Sequence, residues 1–232
     1  ASGRQTLLAK LALLDKRSDL ANKSILVLGD DDLISIALAL TGLCRRVTVL
    51  EIDERITSLL REVASEMRFS NFDVQEYDVR WPLPDSLVGI HDVFVTDPVD
   101  TLRSVTLFLS RCLQALKDKG GAGYFGITPL ETTLDKWVQI QKLLTDMGLL
   151  VTDVIPRFSE YDMTGEWVLQ SGFRIAKEAP VPIGPPSEPW YVSTLFRVMS
   201  YANSKPLIGG HVKYGDELYD DEEHLRDNLE KR

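Results

Sequence analysis

The stretch SILVLGDDDL, residues 24–33, decides the fold of this chain. Its apolar half predicts a buried parallel strand, and residues 33–40 predict the helix that follows it. In a doubly wound α/β sheet, ligands bind outside the carboxyl ends of the strands, which is where Asp30, Asp31 and Asp32 would lie. Three neighbouring carboxylates repel one another and oppose a phosphate at the helix N-terminus. We therefore expect this turn to bind a cationic ligand such as a polyamine.

Strands and helices alternate on both sides of this stretch, which predicts βαβ units with right-handed crossovers. Helices are predicted at residues 4–18, 32–42, 53–67, 101–117 and 131–147. Strands are predicted at residues 25–29, 46–51, 72–76, 92–96, 122–127, 149–158 and 166–176. The last two follow one another through a turn at Gly165, which predicts an antiparallel hairpin at one edge. The fold class is thus α/β, a doubly wound Rossmann-like and mostly parallel sheet with an antiparallel C-terminal hairpin.

The composition divides the chain and limits its partners. Residues 20–200 form the predicted Rossmann-like domain, with a Pro-rich linker near 180–189 and a strand or short helix at 190–199. Residues 1–19 form an N-terminal helix, and a start at Ala rather than Met leaves room for a missing N-terminal domain. Residues 201–232 form a tail whose last 18 residues hold eight acidic and three basic side chains.

A net charge of -9 without a basic cluster argues against nucleic acid as a partner. No apolar stretch reaches the roughly 18 residues of a membrane span, and no signal pattern precedes the first helix. Cys44 and Cys112 lack metal-ligand spacing, as do His91, His211 and His224, so no metal site is predicted. We expect a cytoplasmic protein.

The second strand ends at Glu51, 22 residues after Gly29. An acidic residue at about this distance binds ribose hydroxyls in Rossmann-like folds, because a carboxylate accepts two hydrogen bonds from a diol. Asp53 is a second nucleoside-binding candidate, with capping of the next helix as the equal alternative. The first turn has Gly29 but no full G-x-G-x-x-G, which favours a nucleoside without phosphates, such as a positively charged sulfonium nucleoside.

Further acidic residues follow the later strands. Asp78 follows the third strand and could accept a hydrogen bond from a base amine, or could be a solvated loop residue. Asp97, fixed by Pro98 at the end of the fourth strand, could accept a proton or bind an amine. Asp100 is interpreted as a helix cap. Glu131 lies at the end of the fifth strand and is either functional or a first-turn acid that complements the helix dipole.

The motifs Gly29-Asp30-Asp31-Asp32-Leu33, Glu51-Ile52-Asp53-Glu54 and Asp97-Pro98, in this order, resemble those of the branched-chain polyamine synthases of thermophilic archaea and bacteria. The resemblance covers about residues 20–200 and implies a class I methyltransferase-like fold. It also implies an aminopropyltransferase that uses decarboxylated S-adenosylmethionine as co-substrate, with no tightly bound cofactor, and spermidine as acceptor. A homodimer is expected. The chain departs from the family at Val99, where a second proline is expected, and in lacking most of the family's N-terminal winged-helix-like domain.

The resemblance also implies roles for individual residues. Asp31, Asp32 and Asp97 are expected to be catalytic, with Asp31 as the first candidate for the base and Asp32 as the second. Amine binding is assigned to Asp30, Asp97, Glu131 and Tyr219, with Tyr214 as a further candidate in a tail that helps to close the site. Of the nucleoside-binding candidates Gly29, Glu51, Asp53 and Asp78, which the strand ends predict, the resemblance assigns Glu51 to the ribose.

Two other functions remain open from the sequence. An S-adenosylmethionine-dependent methyltransferase would share the fold and the nucleoside contacts, but it must accommodate the donor carboxylate, which three aspartates should repel. A non-enzymatic nucleoside-binding module whose acidic tail docks a basic partner is the second alternative.

Overall fold

The computed structural model describes residues 3–117, 120–129, 131–161, 180 and 191–219. The parallel strands are β1 (Ser24–Leu28), β2 (Arg46–Glu51), β3 (Phe72–Glu76), β4 (Val93–Thr96) and β5 (Ala122–Ile127). Two longer antiparallel strands follow, β6 (Leu150–Glu160) and β7 (Val192–Met199). The helices are α1 (Arg4–Lys16), α2 (Ile34–Leu40), α3 (Glu54–Glu66), α4 (Leu102–Ala115) and α5 (Leu134–Asp146). Single 3-10 turns occur at Asp85–Leu87 and Asp216–Leu218.

Within the described residues the strands form a seven-stranded sheet in the order β3-β2-β1-β4-β5-β7-β6. Strands β1 to β5 are parallel, and β7 runs antiparallel to both β5 and β6. The predicted mostly parallel α/β sheet with an antiparallel C-terminal pair is therefore confirmed. The partner of β6 is β7, which inserts between β5 and β6. The predicted strand at 166–176 and the turn at Gly165 lie outside the described residues.

The central strands are buried on both faces because helices cover each side. Every residue of β1, β4 and β5 is buried, which explains their continuous apolar runs. One apolar cluster includes Phe94, Phe125 and Phe196, and the opposite one includes Ile25, Val49 and Tyr124. The sheet is thus a rigid platform, and the loops at its carboxyl edge are held at fixed positions. None of the described helices is long and apolar enough to cross a membrane.

Helix α1 is part of this platform. It contacts α2 and β6 and adds Leu14 to one apolar cluster. Its first residues are held to the sheet edge, because Gly3 N–H donates to the Glu160 carbonyl (3.2 Å) and Glu160 N–H to Thr6 Oγ1 (3.2 Å). The N-terminal segment is therefore packed against the predicted catalytic domain.

Candidate active site

The turn after β1 is built around Gly29 and Asp30. Gly29 has a φ of +74°, which only glycine adopts without strain, and its N–H donates to the Leu50 carbonyl (2.9 Å). Asp30 is fully buried; its carboxylate accepts hydrogen bonds from Ser35 N–H (3.2 Å) and from the Ser35 hydroxyl. Burial raises the Asp30 pKa to about 8. Asp30 thus fixes the start of α2, and its side chain faces the protein rather than the cleft.

Asp32 is also buried and is paired with a lysine from α1. Its Oδ2 lies 2.8 Å from Lys10 Nζ, and its Oδ1 accepts from Ile34 N–H (3.2 Å) at the start of α2. Asp32 therefore also caps the start of α2, and Asp30 shares this role through Ser35. Leu33 stands at the cap position itself, with a φ of +58°.

Asp31 differs from its neighbours because it is exposed. Partial desolvation, followed by the negative charge of Asp32, raises the pKa of Asp31 above its ordinary value. A carboxylate that a ligand can reach and whose proton affinity is raised is suited to accept a proton from a bound amine. Of the three aspartates, Asp31 is the one that this arrangement leaves accessible.

Glu51 joins the first two loops of the cleft. Its carboxylate accepts from Asp30 N–H (2.8 Å), Ile52 N–H (2.8 Å) and Asp53 N–H (2.9 Å). Since a carboxylate has about four acceptor positions, these three donors leave room for a hydroxyl. Glu51 therefore braces the turns after β1 and β2, and its predicted contact with a ribose stays a prediction.

Asp53 and Asp78 both bind a neighbouring arginine. Asp53 caps α3 by accepting from Arg55 N–H (2.8 Å), and the Arg55 guanidinium and N–H lower the Asp53 pKa to about 2. Asp78 accepts from the Arg80 guanidinium (2.7 Å), which holds the Asp78 pKa below its ordinary range. Both side chains remain partly exposed at the carboxyl edge, at 27% and 22%. Their assignment to a nucleoside stays a prediction.

Asp97 follows β4 and packs closely against the next strand. A Cβ added to Gly126 of β5 would lie 2.4 Å from Asp97 Oδ1, so the glycine makes space for the carboxylate. The Tyr161 hydroxyl donates to Asp97 Oδ2 (2.5 Å). Burial raises the Asp97 pKa, and the positive charge of Lys10 opposes that effect.

Two more carboxylates lie beside the loop after β5. Asp100 is buried and accepts from Thr128 N–H (3.1 Å), and burial raises its pKa to about 8. The expectation that Asp100 caps α4 is wrong, because Thr101 does so through Ser104 N–H (3.0 Å). The Glu131 carboxylate accepts from the Tyr191 hydroxyl.

Glu131 is not a first-turn acid. Helix α5 begins at Leu134, with Thr133 as its N-cap, so Glu131 lies in the loop before the helix. Its backbone N–H donates to the Thr128 carbonyl (3.0 Å), which turns the chain at the end of β5. A helix-dipole role is therefore excluded, and the position at the strand end favours the functional alternative.

The segment after β7 returns to the same edge of the sheet. Buried Arg111 of α4 donates to the carbonyls of Ile208 (3.2 Å), Gly209 (3.2 Å) and Gly210 (2.7 Å). Thr101 Oγ1 donates to the Leu218 carbonyl (2.9 Å), and Leu218 is fully buried. Tyr219, the next residue, is half exposed, and the Leu218–Thr101 hydrogen bond holds its backbone near the start of α4. Residues 220–232 of the predicted acidic tail lie outside the described residues.

Three residues of this site were not predicted from the sequence: Lys10, Tyr161 and Tyr191. Lys10 could have been noticed, because it interrupts the apolar stripe of α1 between Leu7 and Leu14. The tyrosines gave no such signal. They are 30 positions apart and meet only because β6 pairs with β7, where Tyr161 N–H donates to the Tyr191 carbonyl (3.1 Å) and the rings stand edge to face at 5.5 Å.

Comparison with known proteins identifies the family of this chain. The sequence family described as "Branched-chain polyamine synthase A C-terminal domain" matches residues 3–226. The N(4)-bis(aminopropyl)spermidine synthase of Thermococcus kodakarensis is 42% identical over 94% of this chain and 61% of its own length. The chain belongs to the branched-chain polyamine synthase family.

A solved structure from this family has the same fold. The branched-chain polyamine synthase from Thermus thermophilus, in complex with N4-aminopropylspermidine and 5'-methylthioadenosine, matches with a TM-score of 0.84 at 35% identity, over 96% of this chain and 62% of that one. An S-adenosylmethionine-dependent O-methyltransferase from Thermotoga maritima matches with a TM-score of 0.55 at 14% identity, over 83% of this chain and 64% of that one. The second match shows the methyltransferase-like fold alone. The chain spans about three fifths of these polyamine synthases.

Proposed function

We propose that this chain carries the catalytic site of an aminopropyltransferase. It would move the aminopropyl group of decarboxylated S-adenosylmethionine to the internal amine of spermidine. The observation that carries the proposal is the set of carboxylates at one edge of the sheet. Asp31, Asp32, Asp97, Asp100 and Glu131 follow three different strands, and they lie near enough to one another at the carboxyl edge of the sheet that each raises the pKa of a neighbour. Such a set of negative charges attracts and orients a polycation.

The donor side of the proposal rests on the first two turns. Gly29 allows the chain to turn after β1, and the turn has no glycine-rich loop that would bind a phosphate. Glu51 accepts a hydrogen bond from Asp30 N–H in this turn and keeps an acceptor position for a ribose hydroxyl. A decarboxylated donor carries no carboxylate, so the negative charges of this turn attract its ammonium and sulfonium groups without repelling another part of it. The relative from Thermus thermophilus was crystallised with 5'-methylthioadenosine, the nucleoside that such a transfer would release.

The reaction follows from this placement of charge. The neutral amine nitrogen attacks the aminopropyl carbon bonded to the sulfonium, the carbon–sulfur bond breaks, and its electron pair returns to sulfur as 5'-methylthioadenosine leaves. The new tertiary nitrogen carries the former N–H proton, which Asp31 accepts. Holding the two reactants in line supplies most of the rate enhancement. Asp97 and Glu131, oriented by Tyr161 and Tyr191, would hold the charged ends of the acceptor.

One assay separates this function from its alternatives. The purified chain is incubated with spermidine and either decarboxylated or intact S-adenosylmethionine, and the polyamine products are identified by mass spectrometry. We expect aminopropyl addition with the decarboxylated donor and no reaction with the intact one. Methyl addition from the intact donor would establish a methyltransferase instead, and binding without turnover of either donor would favour a nucleoside-binding module. Gel filtration of the same sample tests the homodimer, which, like the cytoplasmic location, stays a prediction.

A further inference from the structure

Lys10 is a cation inside an acidic site. It stands on α1, is only 5% exposed, and lies 2.8 Å from Asp32 through its Nζ. Taking an ammonium out of water has a large free-energy cost that a single ion pair barely offsets, and apolar replacements at such positions are often neutral or stabilising. An apolar residue between Leu7 and Leu14 would extend the stripe of α1 without that cost.

The groups around Lys10 are almost all acidic. Asp31 and Asp32 face it from the turn after β1, and Asp97 faces it from the end of β4. Helix α2, which packs on α1, contributes no titratable side chain. Two acidic residues of β6 lie along α1: Asp153 pairs with Arg17 at the C-terminal end of α1, and Glu160 lies beside Thr6 at the N-terminal end of α1. Lys10 thus places one fixed positive charge among the residues that the proposed function assigns to the acceptor.

We propose that Lys10 is a positioning residue that holds Asp32 and opposes a positive charge on the amine nitrogen beside Asp31, the proposed base. The acceptor nitrogen that reacts there would lie unprotonated, while the outer ammonium groups bind the remaining carboxylates. A cation near an amine disfavours the protonated form of that amine, as it does in lysine-dependent decarboxylases. The inference rests on the proposed function and adds a reason why one amine of a polycation becomes nucleophilic.

Lys10 also affects the carboxylates. Its charge lowers the pKa of Asp31 and of Asp97, against the raising effect of burial. Without Lys10, both carboxylates would bind protons at higher pH, and the bound amine would keep its own proton to higher pH as well. Both changes move the acid limb of the pH–rate profile in the same direction, towards higher pH.

The test compares Lys10→Met with the wild type and with Lys10→Arg, which keeps the charge. Lys16→Met is the matched control, because Lys16 is an exposed lysine at the end of the same helix. Spermidine KM and kcat are measured from pH 5 to 9. In Lys10→Met the acid limb should move up by about one pH unit, and the KM should fall several-fold while kcat falls, because an opposite charge within contact distance is worth about one unit or more. Lys10→Arg and Lys16→Met should keep the acid limb of the pH–rate profile at its wild-type position.

A role of Lys10 in packing alone would lower stability and kcat without moving the acid limb or lowering the KM, and that result would overturn the proposal. If Lys10→Met does not fold, Lys10→Gln keeps a hydrogen-bond donor for Asp32 without charge and gives the same comparison. Carboxyl titration by NMR decides the question even if the wild type transfers no aminopropyl group. If the pKa values of Asp31 and Asp97 rise in the variant, the charge role of Lys10 is supported, and if they are unchanged, it is contradicted. This outcome does not depend on whether the proposed function is correct.

Discussion

At the scale of single residues, the three consecutive aspartates have three different environments. Asp30 is buried beneath the loop, Asp32 is paired with Lys10, and Asp31 is exposed. Three identical residues in the sequence therefore have different roles in the structure. The sequence could suggest that the turn is acidic, but it could not separate the aspartates, because their pairing depends on how α1 and α2 pack around the turn.

The first prediction concerns Asp31. We expect Asp31→Asn to lower kcat about 100-fold or more, which is the usual contribution of a general base, while the fold stays intact. Steady-state kinetics at pH 8 and circular dichroism measure the two effects. Asp146→Asn, which removes an exposed carboxylate at the end of α5, is the control. Near-normal turnover in Asp31→Asn would remove Asp31 from the role of base.

At the scale of elements, strand β5 carries two glycines that make space for different neighbours. A Cβ at Gly126 would lie 2.4 Å from Asp97 Oδ1, whereas a Cβ at Gly123 would lie 2.0 Å from Phe94 Cζ in the apolar core. The first clash involves a site carboxylate and the second a buried ring. The same substitution on one strand can thus separate activity from stability.

We expect Gly126→Ala to lower kcat/KM about 10- to 100-fold by displacing Asp97, since small misplacements of reacting groups have effects of this size. Gly123→Ala should instead lower the free energy of unfolding by about 1–3 kcal/mol through overpacking. Kinetics and urea unfolding of both variants test the contrast. Equal losses of activity, once corrected for the folded fraction, would show that Gly126 has no specific relation to Asp97.

Element positions also show where sequence reasoning ends. The five parallel strands were predicted within one or two residues. Most of them are apolar runs between turn signals, and β3 (Phe72–Glu76) instead begins with alternating apolar and polar residues. The pairing of β6 with β7 was not predicted. Strands that follow one another in sequence are expected to pair, whereas in the structure β7 lies between β5 and β6. Tyr161 and Tyr191 could not be placed in the site for this reason.

At the scale of the whole molecule, one buried titratable group, His91, lies at the opposite end of the sheet from the proposed site. The acidic cleft lies at the carboxyl ends of the strands, whereas His91 is fully buried before the start of β4. His91 Nδ1 lies 3.3 Å from the Ala115 carbonyl, and Nε2 has no hydrogen-bond partner in the described structure. Protonation would therefore put a proton on a buried nitrogen that has no acceptor.

Burial lowers the His91 pKa from 6.5 to about 4. Between these values the unfolded chain binds a proton at this position and the folded chain does not, so the contribution of His91 to stability falls as the pH drops below 6.5. The expected loss is about 2 kcal/mol at pH 5, from 1.36 kcal/mol per pKa unit. Asp30 and Asp100, whose pKa values are raised to about 8, act in the opposite direction, because they bind protons in the folded state first.

The difference between the wild type and His91→Asn isolates this effect, because asparagine can donate to the Ala115 carbonyl and does not titrate. Urea unfolding of both proteins at pH 7.5 and pH 5 should show that the wild type loses about 2 kcal/mol more than the variant. His211→Asn, at an exposed histidine, should follow the wild type. If the gap between wild type and His91→Asn were the same at both pH values, His91 would be protonated in the folded state. The pH dependence of stability would then come from carboxylates whose pKa values are shifted by folding, such as Asp30 and Asp100.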